Sequence, residues 1–221
     1  RKRGLIPGFG GHCLFMFLPP DQFKRHPEWF PMINGERRPI GQFCTRNEEA
    51  VRFYIDNLIK FLKDNPEIEY AAPWPTDAAG WCECPLCRET PSSDRYMEFG
   101  QRLYKELRKA VPHVRLTHFA YGSHLTPPEK EELLPGMTLT ICAHSRDLAV
   151  PFQSSQTNSE HRNAFARWSE LCHQSKCPLI FHGKYARHWG LFGFHPLPLK
   201  IMQTDCKWFL KQGLTGFEIP M

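Results

Sequence analysis

The chain has 221 residues, 41% of them hydrophobic and 23% charged, with a net charge of +5. That is enough for one substantial domain with a full core, and a charge so mild, with no Lys/Arg run longer than Arg1-Lys2-Arg3, argues against a nucleic-acid partner. No apolar stretch is long enough to span a membrane and no signal peptide is visible.

The chain opens on "RKRGLIPGFGGH" without an initiator Met and reads as a piece of something longer. "RGLIPGF" (3–9) is a strand running into glycines. "TRNEEAVRFYIDNLIKFLKDNP" reads as a helix opened by a capping box, Thr45 with Glu48, and stopped at Pro66. Its apolar residues Val51, Tyr54, Ile55, Leu58, Ile59 and Leu62 share one face. "IEYAAPW" (68–74) is the next strand. The helix "SDRYMEFGQRLYKELRKAVP" follows, turning Tyr96, Phe99, Leu103 and Leu107 inward. Then come strand 114–121, a short helix at 128–134 and strand 137–144. Helix "SEHRNAFARWSELCHQ" leads to strand 178–184. Helix "LKIMQTDCKWFLKQG" ends on Gly213, a good residue just past a helix, and strand "TGFEIPM" closes the chain.

Six apolar strands, most of them separated by helices, predict an α/β fold with parallel strands under a helical cover. A doubly wound sheet and a (β/α) barrel both fit this pattern. No glycine-rich phosphate fingerprint follows a strand, which lowers the dinucleotide-binding option. The favoured reading is a single domain over 1–221, an incomplete TIM-type barrel with about six of its eight βα units. Its function then lies in the loops after the strand C-termini.

Polar and aromatic residues gather at those ends: His12; Trp74 and Asp77; Tyr121 and His124; His144 and Arg146; His182, Lys184 and Tyr185; Glu218. Asp77 stands out because it lies between Trp74 and Trp81 with no basic neighbour before Arg88. Burial beside indoles would raise its pKa and suit it to orienting a polar group; the plainer reading is an Asx turn or helix cap. The tryptophans suit stacking on sugar faces or a place in the core.

Nine cysteines is an odd number, so they cannot all pair within the chain. Cys13, Cys44, Cys142, Cys172, Cys177 and Cys206 are scattered, and several read as small buried hydrophobes. Cys82, Cys84 and Cys87 form a cluster. They are a structural staple by one of two chemistries: zinc, which needs a fourth ligand from a histidine or another cysteine, or a disulfide with one thiol left over. No His-x-His set marks a strand, so a metal-dependent hydrolase has no ligands to use.

"GGH" followed by "LPPDQFKRHPEWFPMINGERRP", "QFCTRNEEAV", "TDAAGWCECPLC" and "SDRYMEF" resembles, nearly end to end, a family first catalogued as a domain of unknown function and now associated with glycoside hydrolases. Relatives of that kind are similar to endo-β-N-acetylglucosaminidases on a hexosaminidase-like barrel and need no catalytic cofactor. The resemblance implies that the chain holds barrel strands three to eight, the first two lying in the full-length protein. It also implies a glycan substrate and an exported location, periplasmic or extracellular rather than cytoplasmic. The hexosaminidase-like fourth strand ends in an Asp-Glu pair, the aspartate orienting the substrate's acetamido group and the glutamate acting as general acid. Asp77 matches the first, but Ala78 follows it, which leaves Glu83 or Glu218 as acid. His12, Trp74, Trp81, Tyr121, His144 and Tyr185 would bind the sugar. The competing reading is a non-catalytic carbohydrate-binding barrel that has lost its acid.

Overall fold

The computed structural model describes residues 6–77, 80–130, 132–154, 156–185 and 198–218. The first strand, β1 (Gly8–Gly11), starts later than the apolar pattern predicts. Pro7 has no N–H to give a ladder, although its carbonyl still accepts from Glu69 N–H at 3.0 Å; residues 3–5 of that expected strand lie outside the described residues. A two-residue ribbon follows, β2 (Met32–Ile33) with β3 (Glu36–Arg37), antiparallel around Asn34 and Gly35. Both turn residues have positive φ (51° and 83°), as a tight hairpin of this kind requires.

Helix α1 (Glu48–Asp64) buries Val51, Tyr54, Ile55, Leu58 and Leu62 as expected, together with Ala50. Its cap is not the predicted Thr45. The Asn47 side chain accepts from Ala50 N–H at 2.9 Å, while Thr45 is buried two residues upstream. Strand β4 (Tyr70–Pro73) and helix α2 (Ser92–Ala110) follow, and α2 buries all four residues expected of it. Strand β5 is Arg115–Ala120. The helix expected at 128–134 is absent among the described residues of that stretch. Seven residues stopped by Pro135 are too few for a helix that stands by itself, and Asp94 Oδ1 on α2 accepts from Glu129 N–H (3.1 Å) and Lys130 N–H (3.0 Å) directly after two prolines. The chain then runs through β6 (Thr138–Ile141), α3 (Ser159–Ser175), β7 (Leu179–His182), α4 (Leu199–Lys211) and β8 (Gly216–Glu218). Gly213 follows α4 at φ 85°. Residues 219–221 of the predicted last strand lie outside the described residues.

Main-sheet strand order is β1-β4-β5-β6-β7-β8, the order of the chain itself. That is the topology of a (β/α) barrel; a doubly wound sheet reverses its order at a switch point. The chain forms two compact units, Arg1–His118 with Pro128–Glu131, and Phe119–Pro127 with Glu132–Met221. In the first, β1, β4 and β5 pair in parallel, with Gly10 opposite Ala72 and Ala71 opposite Leu116. A Cβ on Gly10 would lie 2.6 Å from the Ala72 Cβ, so this register requires glycine there. Tyr54 is the centre of this unit's aromatic core, stacked on Phe43 at 5.3 Å and edge-on to Phe99 and Phe17.

In the second unit β6, β7 and β8 pair in parallel, over a core of Phe152, Phe165, Phe181 and Phe209 in mutual ring contact. Within this core sits a charge. Asp205 on α4 is fully buried. Its Oδ2 accepts from Arg146 Nη1 at 2.8 Å and from the Tyr185 hydroxyl at 2.9 Å, and its Oδ1 accepts from Phe152 N–H at 2.7 Å. The Arg146 guanidinium lies 4.5 Å from the centre of the Tyr185 ring. Burial pushes the Tyr185 hydroxyl above its ordinary pKa, which keeps it a donor.

Two outcomes follow for stability. Gly10→Val should cost ~1–3 kcal/mol by overpacking against β4, read as a lower urea midpoint. Asp205→Ala strips the acceptor from three donors and leaves Arg146 buried without its carboxylate, which should cost ~3–5 kcal/mol. A loss near zero in the same measurement would mean that Arg146 finds equal compensation elsewhere.

Candidate functional site

Each unit carries a set of polar side chains at the C-terminal ends of its strands. In the first unit the stretch after β4 is held by its backbone. Trp74 N–H donates to Gly11 O at 3.0 Å, and Leu14 N–H to Trp74 O at 3.2 Å. Gln42, buried, clamps the next turn: its Nε2 donates to Thr76 O at 2.7 Å and its Oε1 accepts from Thr76 N–H at 3.0 Å. Asp77 is therefore presented from a fixed backbone. Its side chain is 60% exposed, so the burial among indoles expected from sequence does not occur, and the desolvation argument goes with it.

His12, after β1, faces Asp77. His12 Nδ1 lies 2.6 Å from Pro75 O; a carbonyl only accepts, so Nδ1 carries the proton. This leaves Nε2 toward the carboxylate, 3.7 Å from Asp77 Oδ1. Trp74 is buried, with its indole 6.0 Å from His12 in an edge-on arrangement. Trp81 is half-buried, between the Tyr96 ring and the Arg95 guanidinium, each 5.8 Å away. Glu83 is exposed, and its Oε2 accepts from Asn34 N–H at 2.9 Å, which ties it to the ribbon turn.

The second unit brings together Tyr121, His144 and Lys184 from the ends of three successive strands. Lys184 Nζ is 3.3 Å from His144 Nδ1 and 5.4 Å from the Tyr121 ring centre, and the Tyr121 and His144 rings meet edge-on at 5.6 Å. At the ends of β7 and β8, Glu218 Oε2 lies 3.2 Å from His182 Nδ1, with His182 buried and the Glu218 side chain 46% exposed. His124 is buried. Tyr185 and Arg146, both placed at the rim by sequence, are instead locked to Asp205 inside the core, so the Tyr185 ring is covered by Arg146 rather than open to a ligand.

Four cysteines meet in the first unit. Cys44, read from sequence as a scattered thiol, joins Cys82, Cys84 and Cys87, and all four Sγ atoms lie within 4.8 Å of one another. No disulfide joins them. This donor set could hold a metal ion. The other cysteines behave as the small hydrophobes expected: burial pushes Cys13 up to about 11 and Cys172 up to about 12, which keeps both as inert thiols.

Sequence reasoning missed three residues that matter here. Asp205 carried a signal, an aspartate inside a helix, where it is disfavoured, and four residues before Phe209 on the same buried face. Gln42 carried none. Cys44 was visible only as one more cysteine.

Among solved structures, a β-glucanase from Saccharophagus degradans, in complex with cellotetraose, is similar at 12% identity and a TM-score of 0.43, covering 77% of this chain and 50% of that one. Endo-glycoceramidase II from Rhodococcus sp., in complex with a cellobiose-like imidazole, is similar at 10% identity and a TM-score of 0.44, covering 79% of this chain and 41% of that one. This chain thus spans half of the first and less than half of the second. No curated protein matches it in sequence. One family model does, over residues 2–218. With nearly its whole length inside that match, the chain belongs to the family described as domain of unknown function DUF4838.

Proposed function

We propose that the chain is the greater part of a glycoside hydrolase barrel acting on N-acetyl-β-glucosaminide glycans, retaining the anomeric configuration through substrate assistance. The observation that carries this reading is Asp77: an exposed carboxylate at the end of β4, on a backbone clamped by Gln42 and faced by His12. Parallel strands in chain order, with polar and aromatic side chains at their C-terminal ends, support the barrel. A substrate of this class suits an exported protein.

In the proposed reaction Asp77 accepts a hydrogen bond from the substrate's acetamido N–H and turns the acetamido oxygen toward the anomeric carbon. That oxygen attacks C1, the glycosidic bond breaks, and the leaving oxygen takes a proton from a carboxylic acid, for which Glu83 and Glu218 are the candidates. The result is an oxazolinium ion, its N–H held by the Asp77 carboxylate, and a free alcohol. Water then attacks C1 from the face the leaving group vacated, giving its proton to the carboxylate that served as acid, and the acetamide re-forms. Because the nucleophile is the substrate's own acetamide, the usual spacing of two protein carboxylates does not apply. Of the two candidate acids, Glu83 has one oxygen on Asn34 N–H at the ribbon turn, and Glu218 lies 3.2 Å from His182 Nδ1. His12, Tyr121 and His144 offer hydrogen-bonding groups for sugar hydroxyls. Trp81 presents a half-buried face, whereas Trp74 and Tyr185 are buried and leave no face for a sugar.

The test is nitrophenol release from 4-nitrophenyl N-acetyl-β-glucosaminide by the full-length protein. Asp77→Asn should lower kcat ~10²–10³-fold and leave KM nearly unchanged, because the contact strengthens as the acetamide oxygen attacks. Of Glu83→Gln and Glu218→Gln, the variant that removes the acid should slow an alkyl glycoside far more than the nitrophenyl one, whose leaving group needs little protonation. Asparagine serves caps and turns well, so wild-type turnover by Asp77→Asn would return this residue to a structural role. Sugar binding without turnover by the wild-type protein would favour a non-catalytic carbohydrate-binding barrel.

A further inference from the structure

The four-cysteine cluster lies apart from the proposed chemistry and from any reactive base. Cys44 precedes α1, and Cys82, Cys84 and Cys87 lie between Asp77 and α2. All four are essentially inaccessible, at 1% exposure or less. Cys44 Sγ is 3.8 Å from Cys84 Sγ and 3.7 Å from Cys87 Sγ. A tetrahedron with metal–sulfur bonds of about 2.3 Å has edges of about 3.8 Å. Packed thiols also touch at such distances, so contact alone does not decide the matter. Two further features do.

First, the sulfurs are surrounded by donors. Met32 N–H points at Cys82 Sγ from 3.4 Å and Arg37 Nη1 from 3.6 Å. A part-buried guanidinium gains little from neutral thiols, which are weak acceptors, but offsets the charge of thiolates. Four thiolates around a divalent cation leave a net charge of −2, and N–H donors and a cation are the surroundings that such a centre needs. Second, the backbone is shaped to present the sulfurs. Cys87 N–H (2.7 Å) and Arg88 N–H (3.0 Å) both donate to Cys84 O, folding C-P-L-C into a tight knuckle. The buried Arg95 closes that loop from inside, with Nη1 on Cys82 O at 2.8 Å and Nε on Thr90 O at 3.0 Å. Cys44 is placed separately, its N–H donating to Trp29 O at 2.8 Å.

We propose that Cys44, Cys82, Cys84 and Cys87 bind one zinc ion as a closed, structural tetrathiolate site that fastens the segment before α1 to the stretch between Asp77 and α2. Four protein ligands and full burial leave no position for substrate or water, so the ion holds the fold and takes no part in chemistry. Two disulfides would give each sulfur one partner, whereas Cys44 Sγ lies almost equally near Cys84 Sγ and Cys87 Sγ, as one zinc shared by all four requires. The proposal does not rest on the glycosidase reading, since its readout is metal content.

The full-length protein, purified without chelator, should carry zinc at one ion per chain by elemental analysis. X-ray absorption should show four sulfur neighbours at about 2.3 Å. Cobalt(II) exchanged into the site should give the strong visible bands of a tetrahedral thiolate complex. Cys44→Ser should abolish stoichiometric zinc, and Cys206→Ser, at a thiol outside the cluster, should keep it. Arg37→Ala should retain four sulfur ligands yet lose zinc affinity ~10–100-fold against a competing chelator. If Cys44→Ser fails to fold, the wild-type sulfur count and cobalt spectrum still decide. A folded, metal-free protein that takes up no cobalt would overturn the proposal. So would an iron-loaded red protein, or alkylation under non-reducing conditions that finds these cysteines paired.

Discussion

The first unit depends on one constraint, the convergence of four sulfur atoms from two distant stretches of chain. Between β1 and α1 the chain travels through residues 12–47 with only short 3₁₀ turns and the two-residue ribbon to order it. Loops of that length are rarely self-supporting. This one is pinned at Cys44 to the knuckle of Cys82, Cys84 and Cys87, and beside it Glu83 N–H donates to Met32 O at 2.8 Å. Gln42, two residues before Cys44, is the clamp on Thr76. The same cross-link that orders the long excursion therefore delivers the side chain that fixes the backbone next to Asp77. Precision at an exposed carboxylate comes here from a buried cluster several residues away.

What the sequence made legible follows from periodicity. The α1 and α2 stripes were readable because a buried helical face repeats its apolar residues every three to four positions, and Tyr54, Leu58, Phe99 and Leu103 do so without interruption. The strands were readable as apolar runs, apart from their ends. Local competition moved the rest. Pro7 delayed β1, Asn47 took the cap from Thr45, and Asp94 tied the amides of Glu129 and Lys130 to α2. Each is a long-range or single-atom effect that a window average does not contain. The ribbon is a different case, because Asn34-Gly35 is a strong hairpin signal in plain view.

The candidate site was legible by residue type and not by exposure. Trp74, Trp81 and Tyr185 all qualify by composition as sugar platforms, yet only Trp81 keeps a partly open face. Tyr185 differs from them because Asp205 claims its hydroxyl and Arg146 its ring, and Asp205 enters from a helix 20 residues later. No loop-centred reading of 183–185 could contain that partner.

Three aspartates show how environment divides one side chain among roles. Asp205 is buried and saturated by three donors, so any change in its charge disturbs the core, and it can serve only as architecture. Asp94 is buried on α2 and spends one oxygen on two backbone amides, which sets the path of a loop. Asp77 alone of the three is exposed, facing a histidine whose other nitrogen is already committed to Pro75 O. A carboxylate can act on a ligand only if its lone pairs are not already satisfied by the fold and its backbone does not move when the ligand arrives. Asp205 fails the first condition, and Asp94, buried on α2, is out of a ligand's reach. Asp77 is open to a ligand through its exposure and meets the second condition through Gln42, which is why function is sought at the least buried of the three acids and not at the one with the strongest contacts.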